Sequence, residues 1–351
     1  MHSDPRSPGL NLREFTLCMM GHSAFQYVYA GLELRLFELL AGRPGLTRKD
    51  VARALRLEYL PSRCLLLGLT ALGFLRRSGE SYSNGPLVAD LIKSDKLDLL
   101  NKFARFQARI VYPGQLDFLD SLTSNHNVGL RRFPGAGKDL YTRITEDPSL
   151  EAVFFDFMSA WSAESLPLLL DAVDFSGCRC LADVGGGDAT IAVGLARAYP
   201  DLAVRLLDIP PVCALAEERI RGHGLADRVR TVSSSAFQDE FPSGCDCFLF
   251  AHFLVIWAPE QNVALLRKAH DALPPGGRVV IFNSIASDEE DGPLFGALDS
   301  AYFMAVPAPG GLIYSWIDYQ GWLHTAGFDD VQRIPCHSWW TPHGVLIGVK
   351  G

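Results

Sequence analysis

The chain has 351 residues, of which 48% are hydrophobic and 21% charged, and its formal net charge is −8. That length allows two domains, and the balance is that of a globular rather than a disordered protein. No basic face stands out, which argues against a nucleic-acid partner. The longest apolar run, Cys247 to Ala258, is interrupted by His252 and too short to span a bilayer, so no membrane role is expected.

The first residues show no apolar core of signal-peptide length, and cytoplasmic location is the expectation. Cysteines occur as Cys178/Cys180, Cys245/Cys247 and isolated residues, not as the Cys-x-x-Cys pairs of a zinc module. They read as reduced, mostly buried thiols, and no metal site is expected.

Residues 11–110 read as mainly helical. Phe25, Tyr29, Leu32, Leu36 and Leu39/Leu40 recur at spacings of three and four and give one apolar face. Thr47 with Asp50 three residues on is a capping-box-like start, and a second helix follows from Pro61 to Leu72. Gly73 to Ser83 reads as two short strands around Ser78-Gly79. Helix, turn, helix and hairpin make a winged helix. It serves either DNA binding or dimerisation, and the acidic balance favours dimerisation. The division expected is a dimerisation domain over 1–110 and a second domain, with linker helices, over 111–351.

Residues 123–140 read as a loop-rich connection, and a long helix is expected over 148–173 with Phe154, Phe157, Met158, Trp161 and Leu168 along it. That stripe is either core packing or a pocket wall. Strands are then expected at 180–184, 203–207, 228–232, 247–254 and 278–283. Helices are expected at 189–199, 211–222, 260–272 and 316–326, with closing strands at 331–335 and 345–349. The alternation implies an α/β fold with a doubly wound, mostly parallel sheet.

Asp183 ends the first of these strands and leads into Val-Gly-Gly-Gly-Asp-Ala-Thr190. Glycines permit a sharp turn and close approach of a ligand, here at Gly185 and Gly187. Asp208 ends the next strand, placed to accept hydrogen bonds from ribose hydroxyls. Thr190 stands where a dinucleotide fingerprint needs its third glycine, so the shorter glycine pattern of methyltransferases fits better.

These features resemble the class I S-adenosylmethionine-dependent small-molecule O-methyltransferases of the caffeate/hydroxyindole type, including those of bacterial polyketide pathways. The resemblance rests on the winged-helix region, Gly137-Lys-Asp-Leu-Tyr141, Phe157-Met158, Leu181-Ala-Asp-Val-Gly-Gly-Gly187 and Leu207-Asp-Ile-Pro210. It continues in Leu273-Pro-Pro-Gly-Gly-Arg-Val-Val-Ile281, Gly310-Gly311 and Ala326-Gly-Phe328. It implies a Rossmann-like methyltransferase domain, a homodimer, S-adenosylmethionine as possible cofactor and an aromatic or polyketide substrate. By resemblance, Asp183, Gly185, Gly187, Asp208 and Phe237 face the cofactor. The substrate is expected among Phe154, Met158, Trp161, Val255, Trp257, Asn283, Asp299, Tyr302, Phe303 and Met304.

Three catalytic positions depart from the family. Its histidine base falls on Val255, and its two glutamates fall on Asn283 and Ile313. The adenine-binding aspartate falls on Ala236 and a strand lysine on Ala251. General-base help is worth about 10²–10⁴ in rate, so base-assisted O-methylation is the reading to doubt. His252 and Asn283 are the candidate catalytic residues. On an extended strand, however, the odd spacing from Val255 would turn His252 to the opposite face. His337 and His343, with Trp339 and Trp340, lie near the C-terminus and could edge a pocket, although nothing ties them to the site. The leading expectation is S-adenosylmethionine-independent or non-methylating chemistry: bond formation, cyclisation, hydroxylation or decarboxylation. One alternative is methyl transfer to a readily ionised small molecule, and another is a non-catalytic dimeric partner.

Overall fold

A computed structural model describes residues 10–351. The leader reading given above falls largely on residues 1–9, outside the described residues. The chain divides into Met1–Ala108 and Arg109–Gly351.

The first unit contains α1 (Leu12–Met19), α2 (Gly21–Glu33), α3 (Leu36–Gly42), β1 (Leu46–Thr47), α4 (Arg48–Leu55) and α5 (Tyr59–Leu72). It continues with β2 (Leu75–Ser78), β3 (Ser81–Asn84), α6 (Pro86–Lys93) and α7 (Leu97–Phe106). Thr47 and Asp50 cap α4 reciprocally, each side chain taking the other's backbone N–H. β2 and β3 pair antiparallel and β1 adds to β3, giving the helix-helix-wing arrangement. The apolar stripe expected as one face is split between α2 and α3 by Arg35 at φ 55, yet Leu32, Leu36 and Leu40 still enter one core.

The second unit opens with α8 (Tyr112–Gln115), α9 (Phe118–Ser124), a 3-10 turn at Val128–Arg132 and α10 (Leu140–Ile144). The long α11 (Pro148–Ala172) leads into β4 (Cys180–Val184), α12 (Thr190–Ala198), β5 (Ala203–Asp208), α13 (Pro210–Gly222) and β6 (Val229–Ser233). Then follow β7 (Cys247–Ala251), α14 (Pro259–Ala272), β8 (Arg278–Ser284), α15 (Leu294–Ala305), α16 (Trp316–Ala326), β9 (Asp330–Pro335) and β10 (His343–Val349). The sheet runs β6-β5-β4-β7-β8-β10-β9, with β10 antiparallel to both neighbours and the other pairs parallel.

Both sheet faces are covered, as a mostly parallel sheet requires. Leu181, Leu206, Leu249, Val280 and Ile347 pack on one side with Leu169 of α11, Leu195 of α12 and Ile220 of α13. Ala182, Leu207, Phe250, Ile281 and Leu346 pack on the other with Leu265 of α14 and Leu323 of α16. Strand order reverses between β4 and β7, so a ligand crevice opens beyond their carboxyl ends. Among the described residues, no helix is long and apolar enough to cross a membrane.

Candidate active site

The glycine turn closes the carboxyl end of β4. Gly185 and Gly187 take φ of 71° and 57°, a region that suits glycine. A Cβ at Gly185 would meet the Phe253 ring at 2.2 Å, so the backbone there lies directly on that ring. At Gly187 a Cβ would meet nothing within 4 Å, so the turn is open on its outer side. Asp208 accepts from the N–H groups of Gly187 at 3.0 Å and Ile209 at 2.8 Å. Burial still pushes its carboxyl up to about 6. Burial, and then the Asp208 charge, push Asp183 up to about 7.

Asp183 Oδ2, Ser234 Oγ and Trp257 Nε1 are buried without a hydrogen-bond partner. Unsatisfied buried groups are rare in folded proteins; Asp183 sits near the carboxyl end of β4, Ser234 directly after β6, and Trp257 directly after the Leu254–Ile256 turn. Phe237 is 39% exposed and stands edge-on to Trp257 at 4.7 Å. Two acids, an open glycine turn and an exposed aromatic face meet the needs of an adenosyl group: acceptors for a ribose diol and a wall for a base. Asp188, beside the turn, is tied to Ser159 of α11 and, at 2.5 Å, to Arg219 of α13. The sequence reading missed that anchor.

Beyond β7 the expected strand stops early. It was expected to reach residue 254, but it ends at Ala251, His252 takes φ 56, and Leu254–Ile256 forms a 3-10 turn. The face-parity argument for His252 and Val255 therefore does not apply. Burial pulls His252 down to about 4, and its Nε2 lies 3.2 Å from Ser165 Oγ. A neutral, hydrogen-bonded imidazole beside Phe282 and His343, each about 5.1 Å away, is a packed group.

Val255 is 4% exposed and packs with Ile256, Ala308 and Ile313, bordered by Tyr141, Trp257 and Phe303. The Leu312 N–H donates to the Val255 carbonyl at 2.9 Å. The Tyr314 hydroxyl straps the Trp257 carbonyl at 2.7 Å. Val255 and Ile313 are thus neighbours, and an apolar contact fills the place where the resemblance puts a base and its partner. Asn283 is fully buried, donates to the Tyr319 hydroxyl at 3.2 Å and leaves Oδ1 unpartnered. It lies beneath the cleft surface.

Aromatic side chains cluster around these residues. Phe154 and Tyr141 meet edge-on at 5.7 Å, and Tyr141 lies 6.4 Å from Trp257. Two turns on along α11, Trp161 stacks on Phe295 at 5.8 Å and approaches Trp340 and His343 at 6.1 and 5.6 Å. Burial keeps His343 well below its ordinary value, with His252 adding to the effect. Tyr302 is buried and Phe303 packs on the Val255 cluster. Asp299, Met158 and Met304 are half-buried. Phe295 and Tyr141 were not singled out as pocket residues, and His343 was left untied. The signal for Phe295 was its spacing of four and seven to Asp299 and Tyr302.

The family pattern described as an O-methyltransferase domain matches residues 121–329. The chain belongs to the O-methyltransferase family. An L-tyrosine C(3)-methyltransferase of Streptomyces lavendulae is 46% identical over 343 residues, 97% of this chain and 93% of that protein. A 3-hydroxy-5-methyl-1-naphthoate 3-O-methyltransferase of Streptomyces sahachiroi is 30% identical over 325 residues, 93% of this chain and 91% of that one. Among solved structures, the apo form of the S-adenosylmethionine-dependent methyltransferase SibL is 44% identical with a TM-score of 0.84, covering 97% of this chain and 99% of that one.

This O-methyltransferase-family chain is accordingly a methyltransferase-type enzyme of natural-product metabolism. The expectation of S-adenosylmethionine-independent, non-methylating chemistry is overturned, because its near-full-length relatives transfer methyl, one of them to carbon. Losing an imidazole removes base help for an oxygen acceptor, not for an acceptor already activated by ionisation.

Proposed function

We propose that this enzyme transfers a methyl group from S-adenosylmethionine to the ring carbon ortho to the hydroxyl of L-tyrosine or a closely similar free phenolic amino acid. The observation that carries the proposal is the apolar cluster that holds Val255 and Ile313, together with the open glycine turn after β4. The glycine turn and Asp208 of the cofactor side remain, while two of the three oxygen-activating positions, 255 and 313, carry apolar side chains. The relative at 46% identity, named for methylation at C(3) of L-tyrosine, supports the acceptor class.

When bound, S-adenosylmethionine supplies an electrophilic methyl on a sulfonium. Asp208 would hold its ribose hydroxyls, Phe237 its adenine ring, and the Gly185–Gly187 turn its amino-acid end. Tyr141, Phe154, Trp257 and Phe303 bound the acceptor side. A flat phenol fits against such rings, and holding it in one pose is itself worth several kcal/mol of barrier. The neighbouring apolar cluster at Val255 offers no hydrogen bond that would aim a hydroxyl at the methyl. A ring carbon can take that place instead.

We also propose a homodimer assembled through the first unit. α1 buries none of its residues, and Leu12, Phe15 and Met19, at spacings of three and four, are 80, 51 and 64% exposed. An apolar helix face of that kind marks an interface.

The test of the catalytic reading is turnover of L-tyrosine with S-adenosylmethionine, followed by mass spectrometry, with cofactor binding measured by calorimetry. A product heavier by one methyl, together with saturable cofactor binding, is expected. No cofactor binding, or unchanged L-tyrosine, contradicts it.

A further inference from the structure

The phenol of such an acceptor must lose its proton to make the ring carbon strongly nucleophilic, and the cleft contains a group placed to take it. Phe295, Asp299 and Tyr302 follow one another on α15 at spacings of four and three, so they share a helix face. Phe295 turns that face toward Trp161 of α11. Across the cleft, Tyr141 packs on the Val255 cluster where the family's base would stand. Asp299 is near enough for its charge, with that of Asp139 before it and Asp208 after it, to push the Tyr141 hydroxyl above its ordinary range. Burial is the main reason for that rise. Burial, then Tyr141 and Asp299, do the same for Tyr302.

Among the described residues, neither the Asp299 carboxylate nor the Tyr141 hydroxyl has a hydrogen-bond partner. A partly buried carboxylate without a partner is costly. No cation offsets it: Arg131 and Arg132, on the turn packed beside α15, are both tied to Asp117, and Arg131 also reaches Asp120. Burial alone lifts the Asp299 carboxyl to about 7, near the pH where a general base works best.

We propose that Asp299 is the proton acceptor that replaces the missing imidazole, with Tyr141 as the positioning residue that orients the acceptor hydroxyl. This rests on the phenolic-acceptor reading above. The O–H bond breaks and its proton passes to a carboxylate oxygen of Asp299. The electron pair left on oxygen delocalises to the ortho carbon, which forms the new C–C bond as the S–CH3 bond breaks. The ring hydrogen then leaves as a proton to water, and Asp299 returns its proton to the oxygen. One proton is released per turnover.

The test compares Asp299→Asn and Asp299→Glu with wild type across pH. Asp299→Asn is expected to lower kcat on L-tyrosine by about 10²–10⁴-fold at neutral pH. Its rate should climb about tenfold per pH unit toward the phenol's own value near 10. Asp299→Glu should keep the limb near 7, and calorimetric binding of S-adenosylmethionine should be unchanged in both. A kcat within about threefold of wild type, or a loss confined to KM, overturns the proposal; the latter makes Asp299 an ammonium anchor. A wild type inactive on L-tyrosine sinks the acceptor reading instead, and a binding titration then decides on Asp299. Bound 4-nitrophenol should ionise at a pH about one unit or more higher in wild type than in Asp299→Asn, because it shares its proton with a carboxylate. Equal titration in the two proteins, or no binding, overturns the assignment.

Discussion

The Val255 carbonyl holds Leu312 and its side chain meets Ile313, so changing residue 255 alone cannot rebuild a base. An imidazole there would be buried among apolar groups, with no carboxylate at 313 to fix its tautomer. Val255→His is expected to destabilise by about 1–3 kcal/mol, the cost of an unsatisfied buried polar group. Calorimetric melting should show this as roughly 2–4 °C per kcal/mol, with no methyl ether formed from L-tyrosine. O-methylation by this single variant at the wild-type C-methylation rate would refute the description of the site. The same neighbourhood explains the strain at His252. Its left-handed backbone, a conformation that costs about 1–3 kcal/mol in a non-glycine residue, turns the chain off β7 and into the 3-10 turn that carries Val255.

At the scale of elements, α1 is the clearest unfinished piece: an apolar stripe with nothing buried. Leu12→Asp combined with Phe15→Asp should convert a dimer to a monomer in sedimentation velocity, and a wild type that sediments as a monomer would contradict the dimer proposal. The elements of the sheet were legible because period and punctuation agree there. Cys180–Val184 and Trp316–Ala326 match the expected bounds, and Ala203–Asp208 differs by one residue. Thr47 with Asp50 announced α4 by capping chemistry alone. Legibility failed at 252–256, where an unbroken apolar run reads as strand although a single positive φ at His252 ends it. It failed again at α15, which was not assigned as a helix although four of its residues were named as pocket residues. The glycine turn and Asp208 were visible as a motif. Trp161 was also named, but its neighbours Phe295 and Trp340 were not tied to it, because they come from distant segments that only the packing brings together.

Across the whole molecule, buried acids set the pH response. Asp183, Asp208 and Asp299 are all raised, to about 7, 6 and 7. Between the ordinary carboxylate range near 4 and about pH 7 these three acids bind more protons in the native state than in the unfolded chain, so their contribution to stability falls as pH rises through that window, and it outweighs the opposite contribution of the two buried, neutral histidines His252 and His343. The ligand-free enzyme should melt higher at pH 5 than at pH 8. Asp183→Asn should narrow that gap. At pH 8 it removes a desolvated charge 1% exposed, gaining about 2–4 °C for each kcal/mol recovered. At pH 5, where the native carboxyl is already neutral, it should change little. An equal gain at pH 5 and at pH 8 would show that Asp183 is ionised throughout. The acids that cost stability are the ones proposed above to face the cofactor and the acceptor, as expected where function rather than packing selects the residues.

The central claim is that the methyl goes to carbon because the oxygen-directing base has become an apolar contact. Its most direct test is nuclear magnetic resonance of the product made from L-tyrosine and S-adenosylmethionine carrying a carbon-13 methyl. The account predicts a methyl bonded to the ring carbon ortho to a free hydroxyl. A methyl bonded to the phenolic oxygen would contradict it.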